Sequence, residues 1–434
     1  MLPAIILFAA TYVLMLSFSK YRPYIALASG VIFIATGMLP VYDVLGALDF
    51  NVLLMIAGTM GLVQLFIDSK MPALLADAVM AKVPNVQWAA VCLALFAGAI
   101  SAFVDNVATV LMIAPVAMAI CKKLNTNPVP FIISIAVSSN LQGAATLVGD
   151  TTAIMLGSAL DMTFMNFFWY QGKPSIFFAV ELGAVISAFI LYILFRKEKA
   201  PIPGGGEMTK VEDYVPTILL VGAIGLLVCA SFAPDSWNLP GEINGLICCA
   251  LLVVGLIYNV LRYKKLDAVV GPLKAIDFET LGLLVGLFLM IGGMEAVGVI
   301  AALGNLLAGM GGNGIFLLFT VIVWASVVIS AFIDNIPYVA TMIPVIGSLA
   351  ATLAPELGVE AGVLGVPLYF GLLSGATLGG NCTPIGASAN ITGIGILRRE
   401  GFEVKNSDFF KIGIPFTLAA IVPAYIYIWL IYGV

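Results

Sequence analysis

Apolar runs of about 17 to 22 residues recur from one end of this 434-residue chain to the other, each long enough to cross a hydrocarbon core of roughly 30 Å as a helix. That recurrence leaves little room for any fold but a helical membrane protein. With 62% hydrophobic and 10% charged residues and a mean hydropathy of +1.11, a separate water-soluble catalytic domain is excluded. The net charge of -5 decides little, because in a membrane protein the position of charges matters more than their sum. Residues 4–19 have no basic segment ahead of them and no clear cleavage site, so they are expected to stay as a first helix. The six cysteines form no CxxC pair and the chain has no histidine, which argues against structural zinc or haem. No cofactor and no nucleic-acid partner is expected; the lipid bilayer is the main partner.

Full spans are predicted over 2–19, 24–40, 50–67, 128–160 and 174–195, then 214–232, 244–261, 279–296, 363–396 and 412–432. Two further segments, 88–121 and 314–352, carry Asp-Asn in the middle and read as re-entrant helical hairpins. The long spans 128–160 and 363–396 are interrupted by Gly- and Thr-rich stretches and read as broken helices. With the N- and C-termini outside an inner (cytoplasmic) membrane, every Lys and Arg except Lys173 falls in an inside loop, as the positive-inside rule asks. Five spans precede the polar stretch, so the second half is expected upside down relative to the first. The predicted division is a first repeat over 1–196, a cytoplasmic linker over 197–213 and a second repeat over 214–434.

The halves match in sequence where function would need it. SAFVDNVATVLMIAPV (101–116) aligns without a gap on SAFIDNIPYVATMIPV (330–345), and GAATLVGDTTAI (143–154) aligns on GNCTPIGASANI (380–391). Shared Asp, Asn, Pro, Thr and Gly residues set these matches apart from chance coincidences of Leu, Ile and Val. Inverted repeats with paired broken helices are a recurring transporter architecture, with substrate held between the repeats at mid-depth. Interrupted backbone inside a membrane must line a cavity or pack against protein. Its freed carbonyls can hold a cation, and freed N–H groups at half-helix starts can hold an anion.

Three acids stand at those places: Asp105 and Asp334 at the hairpin tips and Asp150 in the first broken helix. A carboxylate at membrane centre costs roughly 2.5 kcal/mol or more, so it is rarely kept without a use. Each could also simply cap the half-helix that follows it. Asn106 and Asn335 follow the tip acids and Ser101 and Ser330 precede them by one helical turn; with the Gly149 and Gly386 carbonyls they could form an oxygen cage for Na+. For the serines, ordinary hydrogen bonding between helices competes with that role. Thr146, Thr151, Thr152, Thr383 and Ser388 add hydroxyls, and Asn381 and Asn390 add amides. Glu181 and Glu295 lack counterparts in the other repeat and are expected to be structural. The glycine patches 304–314 and 371–380 are expected to permit close helix packing.

At SAFVDN and SAFIDN the sequence resembles the ion transporter superfamily, in the branch of arsenite permeases, NhaD-type sodium/proton antiporters and the melanosomal P protein. The resemblance spans nearly the whole chain. More distantly it is similar to divalent anion/sodium symporters, whose tips carry Ser-Asn-Thr; that likeness would also put Ser101 and Ser330 at sodium-ligand positions. It implies a citrate-transporter-like scaffold of hairpins and broken helices and a homodimer joined through the early spans of each half. Gly149-Asp150-Thr151-Thr152-Ala153 looks like the antiporter type, whereas GGNCTPIGASAN (379–390) is closer to the P-protein type.

Two functions remain open. One is exchange of Na+ or Li+ for protons at Asp105, Asp334 and Asp150, with Na+ and H+ as coupling ions, favoured by central acids without a central base. The other is sodium- or proton-coupled transport of a small anion or oxyacid, such as arsenite or a di- or tricarboxylate. An intramembrane aspartyl protease fits poorly, since Leu147 stands where a Gly-x-Gly-Asp pattern needs its first glycine. Inverted broken-helix repeats favour a carrier over a passive channel.

Overall fold

The computed structural model of the protein describes residues 1–202, 208–264, 267–310 and 314–433. Parts of two sequence assignments, the linker (203–207) and the first glycine patch (311–313), lie outside them, as does Lys265.

The first half contains α1 (Leu2–Ser17), α2 (Arg22–Ala35), α3 (Phe50–Asp68), the short α4 (Met71–Met80), α5 (Val86–Ser101), α6 (Asn106–Leu124), α7 (Val129–Gly143), α8 (Thr151–Ala159) and α9 (Ile176–Leu194). The second half runs through the same series: α10 (Val215–Ser231), α11 (Ile243–Tyr263), α12 (Phe278–Ala296), α13 (Val299–Met310), α14 (Ile315–Ser330), α15 (Asn335–Leu357), α16 (Ala361–Gly379), α17 (Ser388–Arg399) and α18 (Asn406–Tyr432). Eight of the described helices are long and apolar enough to cross a membrane, among them α3, α9, α11, α12 and α18. The expected hairpins are present as α5–α6 and α14–α15, and the expected breaks fall between α7 and α8 and between α16 and α17. Two short helices that lead into the hairpins, α4 and α13, have no counterpart among the predicted spans.

Packing ties the halves together reciprocally. α2 lies along α12, and α3, the counterpart of α12, lies along α11, the counterpart of α2. The broken helices cross over: α17 packs on α6 and α7 of the first half, while α8 packs on α15 and α16 of the second. The second glycine patch explains how α16 approaches α14. A Cβ at Gly375 would lie 2.5 Å from the Val323 carbonyl oxygen, and one at Gly379 2.5 Å from that of Val327. Small residues spaced four apart thus let two backbones meet with nothing between them.

The ends of the linker are held against the first hairpin and the short α4 before it. Val86 and Gln87 donate their backbone N–H groups to the carbonyls of Ala200 (3.0 Å) and Glu198 (2.8 Å), and Thr209 donates its N–H to Asp77 (2.8 Å). Lys173, the exception to the positive-inside count, donates from Nζ to the Ile431 carbonyl (2.8 Å) in the last turn of α18. A cation there complements the negative end of that helix.

Candidate transport site

The break in the first half and the helix turns on either side of it are buried, and they carry polar side chains that lipid could not satisfy: Ser138, Ser139, Asn140, Gln142, Thr146, Asp150, Thr151 and Thr152. Their partners lie in the neighbouring hairpin and in the other half. Thr146 donates its hydroxyl to the carbonyl of Ala102, and in the second half Thr383 donates to Ala331, the residue at the same place in the other tip. Gly149 and Gly386 complete these joints. A Cβ on Gly149 would lie 2.5 Å from the Gly143 carbonyl oxygen and 2.7 Å from that of Ser101; on Gly386 it would lie 2.6 Å from the Gly380 oxygen and 2.9 Å from that of Ser330. Each hairpin tip therefore rests directly on the interrupted backbone of its partner helix.

Both tip acids cap their returning arms. Asp105 Oδ2 accepts from the N–H groups of Val107 (3.0 Å) and Ala108 (3.1 Å), and Asp334 Oδ1 accepts from Ile336 (3.1 Å). Capping and membership of a site coexist, since one cavity of about 280 Å³ is lined by Asp105 together with Asn106, Asn140, Asp150 and Thr151, and by Asn335, Ile336 and Ser388 from the other half. Gln64 and Ile67, near the end of α3, and Asp277 and Thr280, at the start of α12, carry its wall to the helix ends that the sequence assigns to the inside. Among the described residues no Lys or Arg lines it.

A network of amides fixes the floor of the cavity where the halves meet. Asn106 Nδ2 donates to Asn140 Oδ1 (3.0 Å); Asn140 Nδ2 donates to the Thr377 carbonyl (2.7 Å) and to Asn381 Oδ1 (3.0 Å); Asn381 Nδ2 donates to the Val137 carbonyl (2.9 Å). Asp150 Oδ2 accepts from the Thr152 hydroxyl (2.8 Å), which lies 3.1 Å from that of Thr377. Asn390 donates to the carbonyls of Gly380 and Thr383 (3.0 Å each) and so closes the second break on itself.

Of the residues singled out in the sequence, the structure brings Asp105, Asn106, Asp150, Thr151, Asn335 and Ser388 to one cavity. Ser101, Thr146, Gly149, Ser330, Thr383 and Gly386 form the joints behind it, and Asn381 belongs to the floor. The two serines differ. Ser330 donates its hydroxyl to the Ala376 carbonyl, whereas the equally buried Ser101 Oγ has no hydrogen-bond partner among the described residues. Glu295 lines a separate cavity of about 230 Å³ with Asp49.

Three residues escaped sequence reasoning. Asn140 sits in the apolar run of α7; the second repeat match, extended back to it, would have set it opposite Thr377, the residue it touches. Asp277 caps α12 by accepting from the N–H groups of Glu279 and Thr280 (3.0 Å each). Arg22, counted with the inside loops, opens α2 and reaches Asp334, its Nη1 3.2 Å from Oδ2. No signal in the sequence joins that pair, since 311 residues stand between them.

The model of the citrate transporter family matches residues 12–362. The chain belongs to that family. An uncharacterized transporter of Mycobacterium tuberculosis is 29% identical over 99% of this chain and 98% of its own, and a 46 kDa membrane protein of Mycobacterium leprae is 31% identical over 76% and 74%. The human P protein is 26% identical over 85% of this chain, which spans 52% of that longer protein. Among solved structures, the YdaH transporter of Alcanivorax borkumensis superposes with a TM-score of 0.61 at 13% identity, covering 93% of this chain and 89% of its own. MtrF of Neisseria gonorrhoeae gives 0.56 at 14% identity over 93% and 85%; both likenesses concern the fold. This citrate transporter family member is therefore a polytopic membrane transporter and not an enzyme.

Proposed function

We propose that this transporter exchanges Na+ or Li+ for protons by alternating access in the inner membrane, with its two halves inverted. The observation that carries the reading is that Asp105 and Asp150 open into one cavity lined also by Asn106, Asn140 and Thr151 and, among the described residues, by no basic side chain. Hard oxygen donors with negative charge suit small hard cations and protons. The unpaired Ser101 hydroxyl and the backbone oxygens of Ser101, Ala102 and Gly143 around Gly149 offer further ligands beside it. With Gln64 and Asp277 on its wall, the cavity is the inward-open form of that cycle. A homodimer through the early spans belongs to the same reading.

A second reading, a small anion such as citrate or arsenite, is favoured by one feature. α8 and α17 begin at the cavity, at Thr151 and Ser388, without side-chain caps, so two helix N-termini bring positive partial charge to it and favour an anion. The name of the family model points the same way.

Everted vesicles with a preset pH gradient separate the two. Na+ or Li+ should collapse the gradient with the wild-type protein and fail to do so with Asp105→Asn. An unresponsive wild-type protein that moves radiolabelled citrate or arsenite would replace exchange by the second reading.

A further inference from the structure

The two tips share Ser-Ala-Phe-x-Asp-Asn, yet their acids meet different charges. Asp105 touches the N–H groups of its own helix and faces the cavity. Asp334 holds the guanidinium of Arg22, whose Nε also donates to the Met15 carbonyl (3.2 Å) and so fixes the side chain to α1. The pair is largely shielded, with side-chain exposures of 24% and 20%.

We infer that the second half-site carries a tethered cation, the Arg22 guanidinium, and that the transported cation is taken up at the first half-site alone. The inference rests on the exchange reading above. An arginine does not give up its proton at any physiological pH, so it occupies Asp334 as a counter-ion that is never released. A carboxylate filled in this way has no vacancy for Na+. Three independent observations agree. Ala387 stands where the first half has Asp150, so the tip and break of the second half carry a single acid, Asp334, where those of the first carry two. Ser330 has already given its hydroxyl to the Ala376 carbonyl, whereas Ser101 is uncommitted. Finally α11, the counterpart of α2, opens on Ile243 behind Glu242, and among the described residues no arginine pairs with Asp105. Two uncompensated carboxylates face one neutralised carboxylate. Arg22 is thus a positioning residue that sets how many external cations the site accepts.

Purified protein in proteoliposomes tests this by Na+-driven proton flux as Na+ is varied. The wild type should show a Hill coefficient of about 1, and Arg22→Gln one approaching about 2 as Asp334 recruits a cation from solution. Arg22→Lys should keep the wild-type slope. Asp334→Asn leaves a bare guanidinium at the site and should lower flux at least about tenfold. Removing both charges in Arg22→Gln/Asp334→Asn should restore flux to within about threefold of wild type, and that coupling is the signature of a pair. This double variant also settles the matter should Arg22→Gln insert poorly. A double variant as inactive as Asp334→Asn, at equal protein in the bilayer, would show that Asp334 itself carries the transported ion and would overturn the inference. A wild-type protein with no response to Na+ or Li+ would instead bring down the exchange reading, and this inference with it.

Discussion

Asp105 and Asp334 stand at equivalent points of equivalent hairpins, and each caps the arm that returns from its tip. The joints beneath them are equally alike: a threonine on the carbonyl of Ala102 or Ala331 and a glycine against backbone oxygens. The difference lies in what surrounds the charge. One acid shares an open cavity with Asp150; the other is matched by Arg22, with Ala387 in place of a second acid. The two halves thus share the parts that interrupted backbone requires, since an unpaired carbonyl or a poorly fitted turn in lipid is penalised in either half. They differ in charge, because a carboxylate can be balanced by a bound ion or by a side chain from elsewhere in the chain.

The comparison breaks most readily at the acids. Asp105→Asn and Asp150→Asn should each reduce Na+-driven proton flux by about two orders of magnitude or more, since roughly 3 kcal/mol of charge pairing is lost. Arg22→Gln should rescue neither, in contrast to Asp334→Asn; rescue of Asp105→Asn in proteoliposomes would erase the distinction between the tips.

The joints should behave alike in both halves. Gly149→Ala and Gly386→Ala each drive a methyl group to within 2.5 or 2.6 Å of a carbonyl oxygen. Each should destabilise the detergent-solubilised protein by about 1–3 kcal/mol, read as a fall in melting temperature. Tolerance of one and not the other would mean that the tips are seated differently. Thr146→Val and Thr383→Val leave the Ala102 or Ala331 carbonyl without its donor and should each cost about 1–2 kcal/mol in the same assay.

The serines give the smallest effects and the finest contrast. Ser330→Ala should lose about 1 kcal/mol of stability with little change in Na+ dependence, because its hydroxyl serves only the Ala376 carbonyl. Ser101→Ala should leave the melting temperature unchanged and raise the Na+ concentration needed for half-maximal flux. The opposite pattern would assign the free ligand to the second half.

Much of this arrangement was legible in the amino-acid order. Hairpins predicted over 88–121 and 314–352 appear as Val86–Leu124 and Ile315–Leu357, because an apolar run with a carboxylate and an amide at its centre must turn back or bury them. Six of the predicted site residues reach one cavity for a related reason: breaks and tips are where polar groups can be satisfied at depth. Asn140 was not legible, since one amide in an apolar helix reads as filler until Asn106 and Asn381 are seen on either side of it. The Arg22 pair was not legible either, because a basic residue beside a span reads only as a topology signal and nothing in its neighbourhood announces the reach of its side chain.

By itself the sequence determined that the chain lies in a membrane, where its helices turn and break, and that two halves repeat one plan. Those features follow from hydropathy and from backbone groups that lipid cannot pair, and both are local. Tertiary structure decided which acid meets the cavity and which meets an arginine. Charges compensate one another across a few ångströms of space, whatever their separation along the chain.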